Sequence, residues 1–202
     1  NKTISLFFLF SIIYGQFNHQ DKLVIKRKLG QYTATIDFDG RVNETGFFHK
    51  HLDVGIHYPF MPTWSIGFKY RSQYRTKEDA WNLEQRPQVE LLKAINRPNA
   101  KWQFRTRMDY RIREGKDDEM RNRSRIQFKF PKSITRFKIT PFISNEFFFA
   151  PKTWDYYINW ISFGFDLAKS KYGKPSIFYK YVRTHIDGDW KPTYTVVFKL
   201  TI

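Results

Sequence analysis

The stretch from Trp102 to Phe130, WQFRTRMDYRIREGKDDEMRNRSRIQFKF, limits what this chain can fold into more than any other. Read with a period of two, its first half puts Phe104, Thr106, Met108, Tyr110 and Ile112 on one face. Arg105, Arg107, Asp109, Arg111 and Arg113 fall on the other. The second half repeats the scheme: Met120, Ile126, Phe128 and Phe130 share a face with Asn122 and Ser124, opposite Arg121, Arg123, Arg125, Gln127 and Lys129. Successive side chains of a strand point to opposite sides, so this alternation predicts two strands, each with one apolar and one cationic face. Gly115-Lys116-Asp117-Asp118 supplies the turn between them.

Similar segments follow one another along the chain: Tyr32–Val42, His51–Phe60, Trp64–Arg75, Trp81–Ala94, Arg136–Ala150, Trp154–Ala168, Ser176–Ile186 and Thr193–Ile202, with a short basic piece at Lys22–Leu29. Turn-forming stretches such as Pro59–Pro62, Arg97-Pro-Asn99, Lys171–Pro175 and Asp187-Gly-Asp189 separate them. No segment sustains a helical period, and no stretch of 18 apolar residues occurs that would make a membrane-spanning helix. The chain reads as all-β, one domain over residues 16–202, with short connections.

Lys and Arg outnumber Asp and Glu by 35 to 19, which directs attention to nucleic acid, acidic lipid or anionic solutes as partners. The 21 Phe and 12 Tyr must be explained together with that charge. Single-stranded nucleic acid needs basic and aromatic groups on one surface, whereas here they take opposite faces, so no nucleic-acid partner is expected. With no cysteine there is neither a disulfide framework nor a thiolate metal site.

A soluble barrel or sandwich turns its apolar face inward, and a transmembrane barrel turns it toward lipid. Four features favour the membrane form. Residues 1–15 read as a signal peptide, with Lys2 ahead of the apolar run ISLFFLFSIIY and then Gly15. The segments run about 10 to 15 residues, enough to cross a bilayer at a tilt. Trp64, Trp81, Trp102, Trp154 and Trp190 sit at or beside segment ends, where interfacial girdles form. Finally, the bulky rings of the apolar face would crowd one small core if turned inward. The expectation is a single antiparallel transmembrane β-barrel in the cell outer membrane, contacting outer-membrane lipid. Single-chain bacterial barrels have even strand numbers, so the eleven or so segments are read as about ten strands, with twelve the alternative.

The Arg-alternating hairpin, Phe142-Ile-Ser-Asn-Glu146-Phe-Phe-Phe149, the Gly164-containing strand and Glu84-Gln-Arg86-Pro87 carry a resemblance. Over most of the mature chain, the sequence resembles an uncharacterised family of Gram-negative outer-membrane β-barrels filed as a domain of unknown function. The resemblance implies the barrel and the location, and brings no activity or catalytic residue. Such barrels usually end on an aromatic residue; this chain ends on Ile202, although Phe198, Leu200 and Ile202 keep the alternation.

In a lumen, Arg105, Arg107, Arg111 and Arg113 would lie beside Arg121, Arg123, Arg125 and Lys129, and like charges across strands repel. Their expected partners are Glu84, Glu90 and Asp109, near Arg86, on one flank and Glu146 on the other. Either these carboxylates pack the lumen as a scaffold, or the Arg surplus serves a narrow channel that prefers a small anionic solute. A secreted soluble barrel holding an apolar ligand is the alternative function. His51, His57, His185, Ser72 and Ser144 fall in no nucleophile motif such as G-x-S-x-G, so the chain is not expected to be an enzyme. His49, His51 and Asp53 offer too few ligands to define a metal centre, and no metal or cofactor is expected.

Overall fold

A computed structural model describes residues 16–77, 80–130 and 138–202; the expected signal peptide at 1–15 lies outside them. The described chain forms eleven strands: β1 (Gln16–Leu29), β2 (Tyr32–Asn43), β3 (Gly46–Met61), β4 (Trp64–Lys77), β5 (Ala80–Arg97), β6 (Ala100–Arg113), β7 (Glu119–Lys129), β8 (Thr140–Ala150), β9 (Asp155–Asp166), β10 (Lys174–Ile186) and β11 (Asp189–Thr201). Each strand pairs with its neighbours in sequence, and β1 pairs with β11 to close the barrel. No helix occurs among the described residues, and hence none long and apolar enough to cross a membrane.

Local chemistry sets several of the turns. Between β10 and β11, Asp187 and Gly188 have φ of 55° and 88°. Two consecutive positive φ values make the tight hairpin turn whose twist matches the flanking strands, and Asp-Gly is among the pairs that tolerate it. Inside the barrel wall, Gly164 leaves room for its neighbour. A Cβ there would lie 2.2 Å from the Phe178 Cβ and 2.4 Å from the Ile177 carbonyl oxygen.

Ten strands was the wrong number. The basic piece Lys22–Leu29, set aside to keep the count even, belongs to β1, which occupies the seam of the barrel. In a meander each strand reverses the last, so the first and last of an odd number run the same way. The seam must then be parallel. It runs from Gln16 opposite Thr193 to Val24 opposite Thr201, and Ile202 extends it by donating to the Val24 carbonyl at 2.9 Å. The barrel therefore has one parallel pairing rather than antiparallel pairings throughout. Other strand starts also differ: β3 begins at Gly46 instead of His51, and β11 at Asp189 instead of Thr193. β8 begins at Thr140, with Lys138 in a left-handed conformation (φ 54°) ahead of it, while the expected start at Arg136 lies outside the described residues.

Burial is inverted relative to an ordinary soluble domain. Among the described residues, Val24, Phe148 and Val197 are the buried apolar side chains, against 23 buried polar or charged ones. Phe68, Val89, Phe104, Ile143, Phe163, Phe165 and Phe198 are among the large apolar side chains left exposed.

Candidate functional site

Strand alternation and barrel closure together bring the charged faces into one interior. Asp109 is fully buried there, its two carboxylate oxygens set against three guanidinium groups: Arg107 at 3.0 Å, Arg121 at 2.5 Å and Arg123 at 3.9 Å. Glu146, from β8, meets Arg105 at 2.5 Å and Arg123 at 3.0 Å. Glu84 holds Arg86 at 2.6 Å and Arg111 at 2.5 Å. Glu90 lies 4.0 Å from Arg107 and 3.8 Å from Lys69. The four carboxylates singled out in the sequence thus each face arginines from that same set.

Further carboxylates, outside the four that the sequence singles out, also pair with interior cations. Glu119 takes Arg111 at 2.9 Å and Arg113 at 3.2 Å, and Asp166 accepts from both Lys129 and Lys174. On β2 and β3, Asp53 binds Arg71 in two-pronged fashion at 2.5 and 2.7 Å, Asp37 meets Lys22 at 2.5 Å, and Asp39 meets Arg41 at 3.0 Å. The signal was present, since these carboxylates alternate with apolar residues as regularly as the arginines do.

Interior aromatics were also missed, Phe148 and Trp160 among them. Phe148 and Trp160 point inward, their ring centroids 4.6 Å apart. The Arg123 guanidinium lies 4.5 Å from the Phe148 ring and 4.9 Å from the Trp160 ring. The Lys180 ammonium sits 4.7 Å from Trp160 and donates to Gln20 at 2.7 Å, and Gln20 donates in turn to Asp39. This cation–aromatic belt runs along the inner wall from β7 through β8, β9 and β10 to β1 and β2. A cavity of about 360 Å³ lies on the side of the Gly30, Pro62 and Pro98 turns, and one of about 680 Å³ on the side of the Thr45, Gly115 and Gly188 turns. Arg71, Arg123, Trp160 and Lys180 line both.

The smaller chamber carries an excess of positive charge. Lys26, Arg125 and Lys199 line it with no carboxylate within 4.0 Å among the described residues. Arg125 donates instead to the neutral Gln103 at 2.6 Å, and its Nε has no acceptor. Arg125, expected to be neutralised, is the one cation of the hairpin set without a carboxylate partner among the described residues.

On the outside, Trp64 and Trp102 lie toward the Pro62 end, and Trp81, Trp154 and Trp190 toward the Gly115 end. Trp64 sits under the Lys93 ammonium at 4.8 Å, and Trp81 under that of Lys50 at 4.8 Å. Trp154 is 76% exposed in the β8–β9 turn, and Trp190 lies against Tyr156 in a tilted arrangement, ring centroids 5.1 Å apart.

Comparison with curated proteins and with solved structures finds no match. A family described as a protein of unknown function (DUF2490) matches residues 21–191, which span all eleven strands in whole or in part. By that match, this chain is a member of the DUF2490 family.

Proposed function

We propose that the chain is an integral outer-membrane β-barrel with an Arg-rich lumen, closed by the Phe148–Trp160 belt and open to small anions in its smaller chamber. The inverted burial supports the membrane reading. A wall of exposed Phe, Ile and Val is costly in water and suits hydrocarbon, whereas an interior lined by charge offers an apolar ligand nothing. The observation that carries the anion is the trio Lys26, Arg125 and Lys199, which face a chamber without carboxylate partners of their own. Buried charge demands compensation, and a phosphate- or carboxylate-sized solute supplies it. The reading is a cationic vestibule in a scaffold barrel rather than a continuous pore.

A planar bilayer tests this. The purified chain should insert yet pass little current, because the belt blocks the lumen. Phe148→Ala combined with Trp160→Ala should open a small conductance that favours chloride over potassium. Removing Lys26, Arg125 and Lys199 in that background, each to Gln, should weaken the preference. Free conductance by the unmodified chain, or an opened lumen that favours cations, would overturn the reading.

A further inference from the structure

Next to the belt, strands β2 and β3 bring together three ligand atoms that the anion reading does not use. Asp39 stands directly opposite His51 in the register, and His49 follows two residues away on the same face. All three are buried, with exposures of 5%, 6% and 5% for Asp39, His51 and His49. His49 Nε2 and His51 Nδ1 lie 3.1 Å apart, Asp39 Oδ1 and His51 Nδ1 3.6 Å, and Asp39 Oδ1 and His49 Nε2 3.8 Å. A triangle with these sides has its centre about 2.0 Å from each corner, the bond length of a zinc-class ion to imidazole or carboxylate.

The far side of the His51 ring is arranged compatibly with such an ion. His51 Nε2 is buried without a hydrogen-bond partner, as is Asp37 Oδ1. They face each other at 3.9 Å, and Asp53 Oδ1 is also 3.9 Å from His51 Nε2. An ion that takes lone pairs from His49 Nε2 and His51 Nδ1 leaves the His51 proton on Nε2, aimed at two carboxylates. Metal-bound imidazoles are commonly oriented in this way.

We infer that Asp39, His49 and His51 form a binding site for a single nitrogen-seeking divalent ion such as zinc or copper. The surrounding charge decides the class. Arg41 lies 3.0 Å from Asp39, while Lys22 and Arg71 engage Asp37 and Asp53. Three carboxylates are thus already matched by three cations, so the imidazoles must supply the affinity. Imidazole pairs suit zinc, copper and nickel, whereas calcium and magnesium want oxygen ligands. His49 also lines the larger chamber, which gives the ion a route inward. The sequence groups His49 and His51 with Asp53 alone and leads to no metal being expected; the pairing of β2 with β3 supplies Asp39 instead.

The test uses the full chain folded in detergent, with exposed His19 and His185 changed to Gln to remove adventitious ligands. Metal analysis after incubation with zinc chloride should give one ion per chain, and the copper(II) form should show two bound nitrogens by electron paramagnetic resonance. His49→Gln or His51→Gln should weaken zinc at least tenfold. His57→Gln, which alters an interior histidine outside the triad, should leave it unchanged. Absence of stoichiometric zinc at micromolar concentration would sink the site, as would undiminished binding in the His49→Gln/His51→Gln double variant. If a variant fails to fold, the copper spectrum of the parent still decides: fewer than two nitrogens overturns the assignment.

Discussion

Asp109 has no solvent exposure and stands among Arg107, Arg121 and Arg123. Removing one member of a buried ionic cluster leaves the others uncompensated, at about 3–5 kcal/mol. Asp109→Asn should therefore lower stability in urea titration of the detergent-folded chain by that amount. Asp21→Asn, which breaks an exposed pair with His19, should be almost silent. Phe148→Ala should cost a comparable 3–5 kcal/mol, since it empties a fully buried site under two guanidinium groups. At this scale the alternation of Arg105 to Lys129 made the inward charges legible, because strand parity alone assigns faces. The inward Phe148 was not legible. It stands in the run Phe147-Phe148-Phe149, where an apolar residue on either face looks the same.

Strands carry the next set of consequences. The seam between β1 and β11 is the feature that distinguishes eleven strands from ten. Its register sets Leu23 opposite Leu200 on the outer face. The chain has no cysteine, so Leu23→Cys/Leu200→Cys gives a clean oxidation assay. The pair should cross-link readily, whereas Leu23→Cys/Tyr194→Cys, six residues out of register, should not. A cross-link in the second pair alone would rule out the parallel seam. Gly164→Ala tests the wall itself: the added methyl meets Phe178 and the Ile177 carbonyl at well under contact distance, and overpacking of this kind costs about 1–3 kcal/mol. Strand existence was readable because each segment alternates. The number was not, because the basic residues of Lys22–Leu29 sit near a rim where the alternation fades into exposure. The metal-ligand trio was hidden for a related reason: Asp39 and His51 are twelve residues apart and meet only through the pairing of β2 with β3.

For the molecule as a whole, the decisive property is which face meets which solvent. Composition hinted at it, since surplus Arg and abundant Phe can coexist in one small domain only if segregated. Periodicity could segregate them but could not say which side was out, because soluble and membrane barrels share the same alternation. In the closed barrel the polar faces are buried and the apolar ones exposed, and the account rests on the exposed face meeting lipid. Single cysteines on β9, β10 and β11 test this most directly. Phe163 and Phe198 are exposed on the outside, and Ser162 and Ser176 are buried. Each position, changed to Cys and labelled with a fluorophore, would be reconstituted in bilayers of brominated phospholipid. The account predicts strong quenching by the lipid chains at 163 and 198 and little at 162 and 176; equal quenching at all four, or none at 163 and 198, would contradict it.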